Sequence, residues 1–166
     1  MKKIIYLIAT IIFLNFINAC AGYKPLYTTN LQFEIADYSL KTNTKLGKQI
    51  YLKLYNLSKN NYKKNNQNIK KITITIDTNK IKSSTAKDST GKVLEYKITI
   101  RSVIKINDYL TKDKILNYDV SYSASYQVQD QYSENIKLEN KNIENLLNKI
   151  YENLLIKMSE NMTTIW

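Results

Sequence analysis

Lys87, Lys92, Lys97, Arg101 and Lys105 gather around the tetrapeptide Asp88-Ser89-Thr90-Gly91 and along the stretch after it, four apart from Lys97 onward. Cations at even spacing share one face of an extended chain, where ammonium and guanidinium groups can hold phosphates or carboxylates. A solvated sheet face in a lysine-rich chain has the same pattern, and both readings stay open. Asp77, Asp88, Glu95 and Asp119 could in principle form the acid pair of a hydrolase. They fall on wet strand positions or in turns, so no catalytic role is expected and the chain reads as a non-enzyme. Tyr118, Tyr122 and Tyr126 share one strand face and read as core before they read as a stacking platform.

Other chemistries are closed by composition. The chain has no histidine and one cysteine, which excludes an imidazole-activated nucleophile, a His-ligated zinc, a thiolate cluster and an internal disulfide. No Asp-x-Asp-x-Asp-Gly run provides a calcium loop. Neither a metal nor another cofactor is expected. The 166 residues carry 25 Lys plus Arg against 14 Asp plus Glu, a formal charge of +11. Such an excess ordinarily suggests nucleic acid, but Arg101 is the single arginine, and nucleic-acid readers lean on Arg. Ile, Asn, Lys and Tyr make up nearly half of the chain, as an AT-biased coding sequence would give. Much of the charge is therefore compositional, and no nucleic-acid partner is expected.

The N-terminus has the layout of an export signal. Lys2 and Lys3 precede an apolar run from Ile4 to Ile17, which ends in Ile17-Asn18-Ala19-Cys20. Fourteen residues fall short of the roughly 18 to 20 that cross a bilayer as a helix. An aliphatic residue three before the cut, a small one before it and Cys at the cut resemble the bacterial lipobox, so Cys20 is the expected lipidation site and membrane anchor. A lone cysteine in an exported chain is otherwise hard to account for. Two or three acyl chains hold a protein on a membrane where one binds only reversibly. Ala21, rather than Asp, after the cysteine points to the periplasmic face of the outer membrane. Residues 1–19 read as signal peptide, 20–30 as a lipidated leader containing the only Pro, 31–160 as a single domain and 161–166 as a tail. Cleavage would leave 147 residues with a charge of +9.

The elements that must position these groups follow from periodicity. Leu31, Phe33 and Ile35 alternate with Gln32 and Glu34 as a first strand. Thr42, Asn43 or Thr44 can cap a helix bearing Leu46, Ile50, Leu54 and Leu57, and the Asn- and Lys-rich Ser58 to Asn68 reads as a loop. Period-two alternation then marks Ile72, Ile74 and Ile76, a less regular strand through Ile81, a long strand from Tyr96 to Ile106, and another from Tyr118 to Val128. Turns are expected at Asp88–Gly91 and near Asn107 to Lys114. A final helix from about Ile136 to Met158 carries Ile143, Leu147, Ile150, Leu154 and Met158. The expected fold is an α+β two-layer sandwich, with two helices on one face of a four- to five-stranded, mostly antiparallel sheet and a polar face opposite.

The order of these elements and several local motifs resemble the LptE family of outer-membrane lipopolysaccharide-assembly lipoproteins. Cys20-Ala21-Gly22-Tyr23-Lys24-Pro25-Leu26-Tyr27 is similar to the Cys-Gly-aromatic-x-Pro-Leu-Tyr start of alphaproteobacterial members, with Ala21 as an insertion. Asp88-Ser89-Thr90-Gly91 followed by Leu94-Glu95-Tyr96 resembles the family's glycine turn and long strand, and Glu139 and Glu144 before the leucine stripe resemble its last helix. The resemblance implies a plug inside the LptD β-barrel that helps the barrel fold and assists lipopolysaccharide into the outer leaflet. It also implies basic contacts to lipopolysaccharide near Gly91. Where some members carry a basic residue two positions before that glycine this chain has Ser89, and Lys87 and Lys92, with Arg101 further along the strand, are the candidates. Without the resemblance, two alternatives stand: an outer-membrane lipoprotein that binds another envelope protein or peptidoglycan, and a periplasmic hydrolase using paired carboxylates.

Overall fold

The computed structural model describes residues 31–62 and 69–163. The signal segment, Cys20, the leader and the last three residues lie outside them. The element order is β1 (Phe33–Thr42), α1 (Thr44–Tyr62), β2 (Lys70–Lys87), β3 (Val93–Asp108), β4 (Lys114–Gln127) and α2 (Tyr132–Thr163). The four strands lie in sheet order β1-β2-β3-β4. β1 is parallel to β2, and the other two pairs are antiparallel. Parallel neighbours need a crossover, which α1 supplies.

Alternation decides which face is buried. Ile72, Ile74 and Ile76 of β2 and Ile98, Ile100, Ile104 and Ile106 of β3 are fully buried on the helix side. Leu46, Ile50 and Leu54 of α1 and Leu147, Ile150, Leu154 and Met158 of α2 close over them. Thr78 and Ser102 continue this inward phase, pair directly across β2 and β3, and place their hydroxyl oxygens 3.3 Å apart with no exposure. The other face is polar, with Thr99 and Ser123 hydroxyls 2.8 Å apart across β3 and β4. This is the expected α+β two-layer sandwich, with four strands.

Several boundaries differ from the sequence reading, and three of them have a local reason close at hand. The Ile72 and Ile81 segments are one 18-residue strand, because Thr78 occupies an inward position and carries the alternation across a polar stretch. Ile81 falls on the outward phase and is 56% exposed. α1 runs through Ser58 to Tyr62, since Ser58 donates its hydroxyl to the Tyr55 carbonyl at 2.9 Å and Lys59 lies over the Tyr55 ring. α2 begins at Tyr132 and ends at Thr163, with Met162 buried. Its start is fastened by Asn135, whose side chain accepts from Gln129 N at 2.8 Å and donates to Gln129 O at 2.7 Å.

Asn43 is the residue that caps α1. Its side-chain oxygen accepts from Leu46 N at 3.2 Å, and its own N–H donates to Thr78 O at 2.9 Å. β1 therefore stops at the level of Thr78, while β2 and β3 continue as a hairpin past it.

Candidate functional site

The hairpin end is built around Asp88. Its Oδ1 accepts from Thr90 N at 2.8 Å, from Thr90 Oγ1 at 2.7 Å and from Lys92 N at 2.9 Å. Asp88 N donates to Lys92 O, and Gly91 N to Asp88 O. Gly91 sits at φ +88°, in the region glycine supplies without strain. Hydrogen bonding from the Thr90 side chain, then from the backbone of Thr90 and Lys92, holds the Asp88 carboxyl below its usual value. The carboxylate thus faces the turn's own donors, and Lys87 and Lys92 stand exposed on either side of it.

The structure separates the three candidate cations. Arg101 stands eight residues into β3, about 26 Å from the start of that strand at about 3.3 Å per residue. It forms a fork on Asp119, Nε to Oδ1 at 3.0 Å and Nη2 to Oδ2 at 2.6 Å. The cross-strand partner of Arg101 is Ser121, so Asp119 is its diagonal neighbour. That hydrogen-bonded pair, helped by Asp77, holds the guanidinium above its already high value. Lys97, Arg101 and Lys105 share the outward face of β3 as the spacing suggested, but Arg101 is not part of the hairpin tip. The acids are likewise dispersed: Asp77 accepts from the Thr42 hydroxyl at 2.5 Å, Asp119 pairs with Arg101, and Asp88 is spent in the turn. Among the described residues no three His, Cys, Asp or Glu side chains gather as a metal site. Tyr126 is buried in the core, with Tyr118 and Tyr122 packed against its edge.

A second cationic cluster went unread in the sequence. Where the hairpin passes the end of β1, Lys80 and Lys82 point to the helix side and both reach Glu139 of α2, at 2.9 and 2.7 Å. The Tyr126 hydroxyl donates to the same carboxylate at 3.3 Å, and Lys82 Nζ lies 4.2 Å from the Tyr96 ring centroid. The Lys82 hydrogen bond pulls the Glu139 carboxyl below its usual value against the opposing effect of burial, with Lys80 adding to the shift. Burial disfavours the Lys82 ammonium, yet Glu139 and Tyr126 outweigh it and raise its pKa. The period-two positions 80 and 82 were visible, but nothing in a single sequence pairs them with a glutamate more than fifty residues on.

No protein-family model and no curated protein matches the chain. Solved structures do. A protein of Caulobacter crescentus described as a lipoprotein superposes with a TM-score of 0.56 at 8% identity, covering 83% of this chain and 93% of that one. A lipoprotein B of Nitrosomonas europaea gives 0.54 at 10% identity, covering 86% and 91%. A minor lipoprotein of Acinetobacter baumannii gives 0.51 at 15%, covering 78% and 95%. The chain shares their fold over most of its length.

Proposed function

We propose that the chain is a non-enzymatic, lipid-anchored subunit of the lipopolysaccharide translocon at the periplasmic face of the outer membrane, seated in the lumen of an LptD-type β-barrel. The observation that carries this reading is the β2–β3 hairpin, which extends past β1 and ends in the exposed Lys87 and Lys92 on a turn kept rigid by Asp88. Such a tip suits the phosphates of a glycolipid, where charge-assisted hydrogen bonds are strongest. The outward sheet face, rich in Ser, Thr and paired charges, suits the polar interior of a barrel. A shared fold with three proteins named as lipoproteins supports an anchor at Cys20. Eleven residues from Cys20 to Leu31, at up to about 3.6 Å each, give a tether of at most about 40 Å between the membrane and the domain.

The test is co-purification of the tagged chain from detergent-solubilised outer membrane. A stoichiometric β-barrel of large mass is expected, and its absence overturns the translocon reading.

A further inference from the structure

The two helices leave an open cleft of about 660 Å³ between them, on the side of the sheet away from the hairpin's wet face. Its apolar lining comes from Leu46 and Leu52 of α1 and Ile143 and Leu147 of α2. Leu52 is 42% exposed there, an apolar side chain placed where packing of the domain itself does not require it. Lys45 and Lys53 enter from α1 and Lys80 from β2, against Glu144 from α2. Glu139, just outside, is shared between Lys80 and Lys82. Three ammonium groups thus line the cleft against one carboxylate, and the balance stays positive with Glu139 counted against Lys80 and Lys82. Lys53 also donates to Asn148, linking the helices where the α2 wall ends.

We infer that this cleft is a binding site for a single-chain anionic lipid, its hydrocarbon along Leu52 and Ile143 over a floor of the buried Leu46 and Leu147, and its carboxylate or phosphate toward Lys45. The volume falls within the roughly 300 to 1,000 Å³ of small-ligand sites. A partner helix is a poor occupant. The α1 wall runs over residues 43–56, about 20 Å at 1.5 Å per residue, but the α2 wall spans only residues 140–147, about 11 Å, so a helix would be held from both sides over only about two turns. An extended peptide fares worse, because both walls are helices whose central N–H and C=O groups are already bonded internally and offer it no ladder. An anion without a hydrocarbon tail leaves Leu52 wet, and a neutral detergent leaves the lysines unused. The inference concerns the cleft and stands independently of the hairpin tip and of the barrel.

Calorimetric titration of the purified chain with dodecanoate, below the concentration at which it forms micelles, tests it. One saturable site is expected, weakened about tenfold or more by Leu52→Glu and by Lys45→Glu and unchanged by Lys87→Glu. Both altered positions lie on the exposed rim, so unchanged thermal unfolding of each variant confirms that the fold is intact. Failure to saturate, equal binding of dodecyl maltoside, saturation by inorganic phosphate alone, or preference for a short acidic leucine-bearing peptide each overturns the proposal.

Discussion

Lys82 Nζ and Glu139 Oε2 stand 2.7 Å apart, and that contact ties the free part of β2 to the N-terminal part of α2. Lys80 reaches the other oxygen of the same carboxylate. One glutamate therefore fastens to α2 the part of the hairpin that has lost its β1 neighbour, while β4 still flanks β3 there. Glu139 is 14% exposed, so its bonds are shielded more than those of a surface pair.

Glu139→Gln keeps the shape and removes the charge. It should destabilise the domain by about 1–2 kcal/mol in urea unfolding. Glu139 has a lowered pKa when folded, so its contribution is fully present above the unfolded carboxyl value of about 4.3 and is lost as pH falls through the folded one. Lys82 has a raised pKa, so its share is present below about 10.4 and is lost only as pH rises through the folded value. The gap between wild type and variant should be level around neutral pH and shrink as pH falls below the unfolded carboxyl value of about 4.3. A gap that stays constant into acid would remove Glu139 as the titrating group.

Lys87→Glu combined with Lys92→Glu should weaken binding to phosphorylated glycolipid and flatten its dependence on salt, since exposed charges act through a screened field. Arg101→Ala should leave that binding within about twofold, and stability little changed, because the guanidinium is already occupied by Asp119 at an exposed, solvent-screened site. A direct lipid-binding assay on both variants decides it. A loss from Arg101→Ala as large as that from the double variant would return Arg101 to the site.

What the sequence made legible follows from how far a signal has to travel. The inward isoleucines of β2 and β3, the α1 stripe and both turns are written within a few residues, and the structure has them where the periodicity puts them. Arg101 looked available because its partner Asp119 lies on another strand, reached only through a register that one sequence does not reveal. β1 read as a short strand because its alternation slips at Ala36, where the pairing with β2 shifts between Ile35 and Asp37. Beyond it Tyr38 is exposed and rests on the Tyr51 ring of α1 at 4.1 Å, a contact no strand pattern encodes. The interhelical cleft depends on two helices far apart in the chain, one ending at Tyr62 and the other starting at Tyr132.

Ile76 and Ile81 belong to one strand but to opposite phases, so the same truncation should separate them. Ile76→Ala removes a fully buried side chain and should cost about 2–5 kcal/mol. Ile81→Ala, on the exposed outward phase, should change stability by no more than about 0.5 kcal/mol. Denaturant midpoints of the two variants measure both. Comparable losses would mean that the strand through Ile81 is not the continuation of the one through Ile76.

Gly47 and Gly91 should answer an identical substitution with opposite signs. Gly47 lies inside α1, and a Cβ built there meets Ile76 Cγ2 and Leu40 Cδ2 at 3.5 Å and Thr78 Oγ1 at 3.8 Å, all ordinary contact distances. Alanine fits against the sheet and restricts the unfolded chain, so Gly47→Ala should stabilise by about 0.5–1 kcal/mol. At Gly91 the added Cβ has open space around it, but φ is +88°. The cost there is conformational alone, about 1–2 kcal/mol, and it falls on the turn that presents Lys87 and Lys92. Thermal unfolding of the two single variants should therefore shift in opposite directions, with glycolipid binding altered only for Gly91→Ala. A destabilised Gly47→Ala would mean that α1 packs against β2 more tightly than those distances allow.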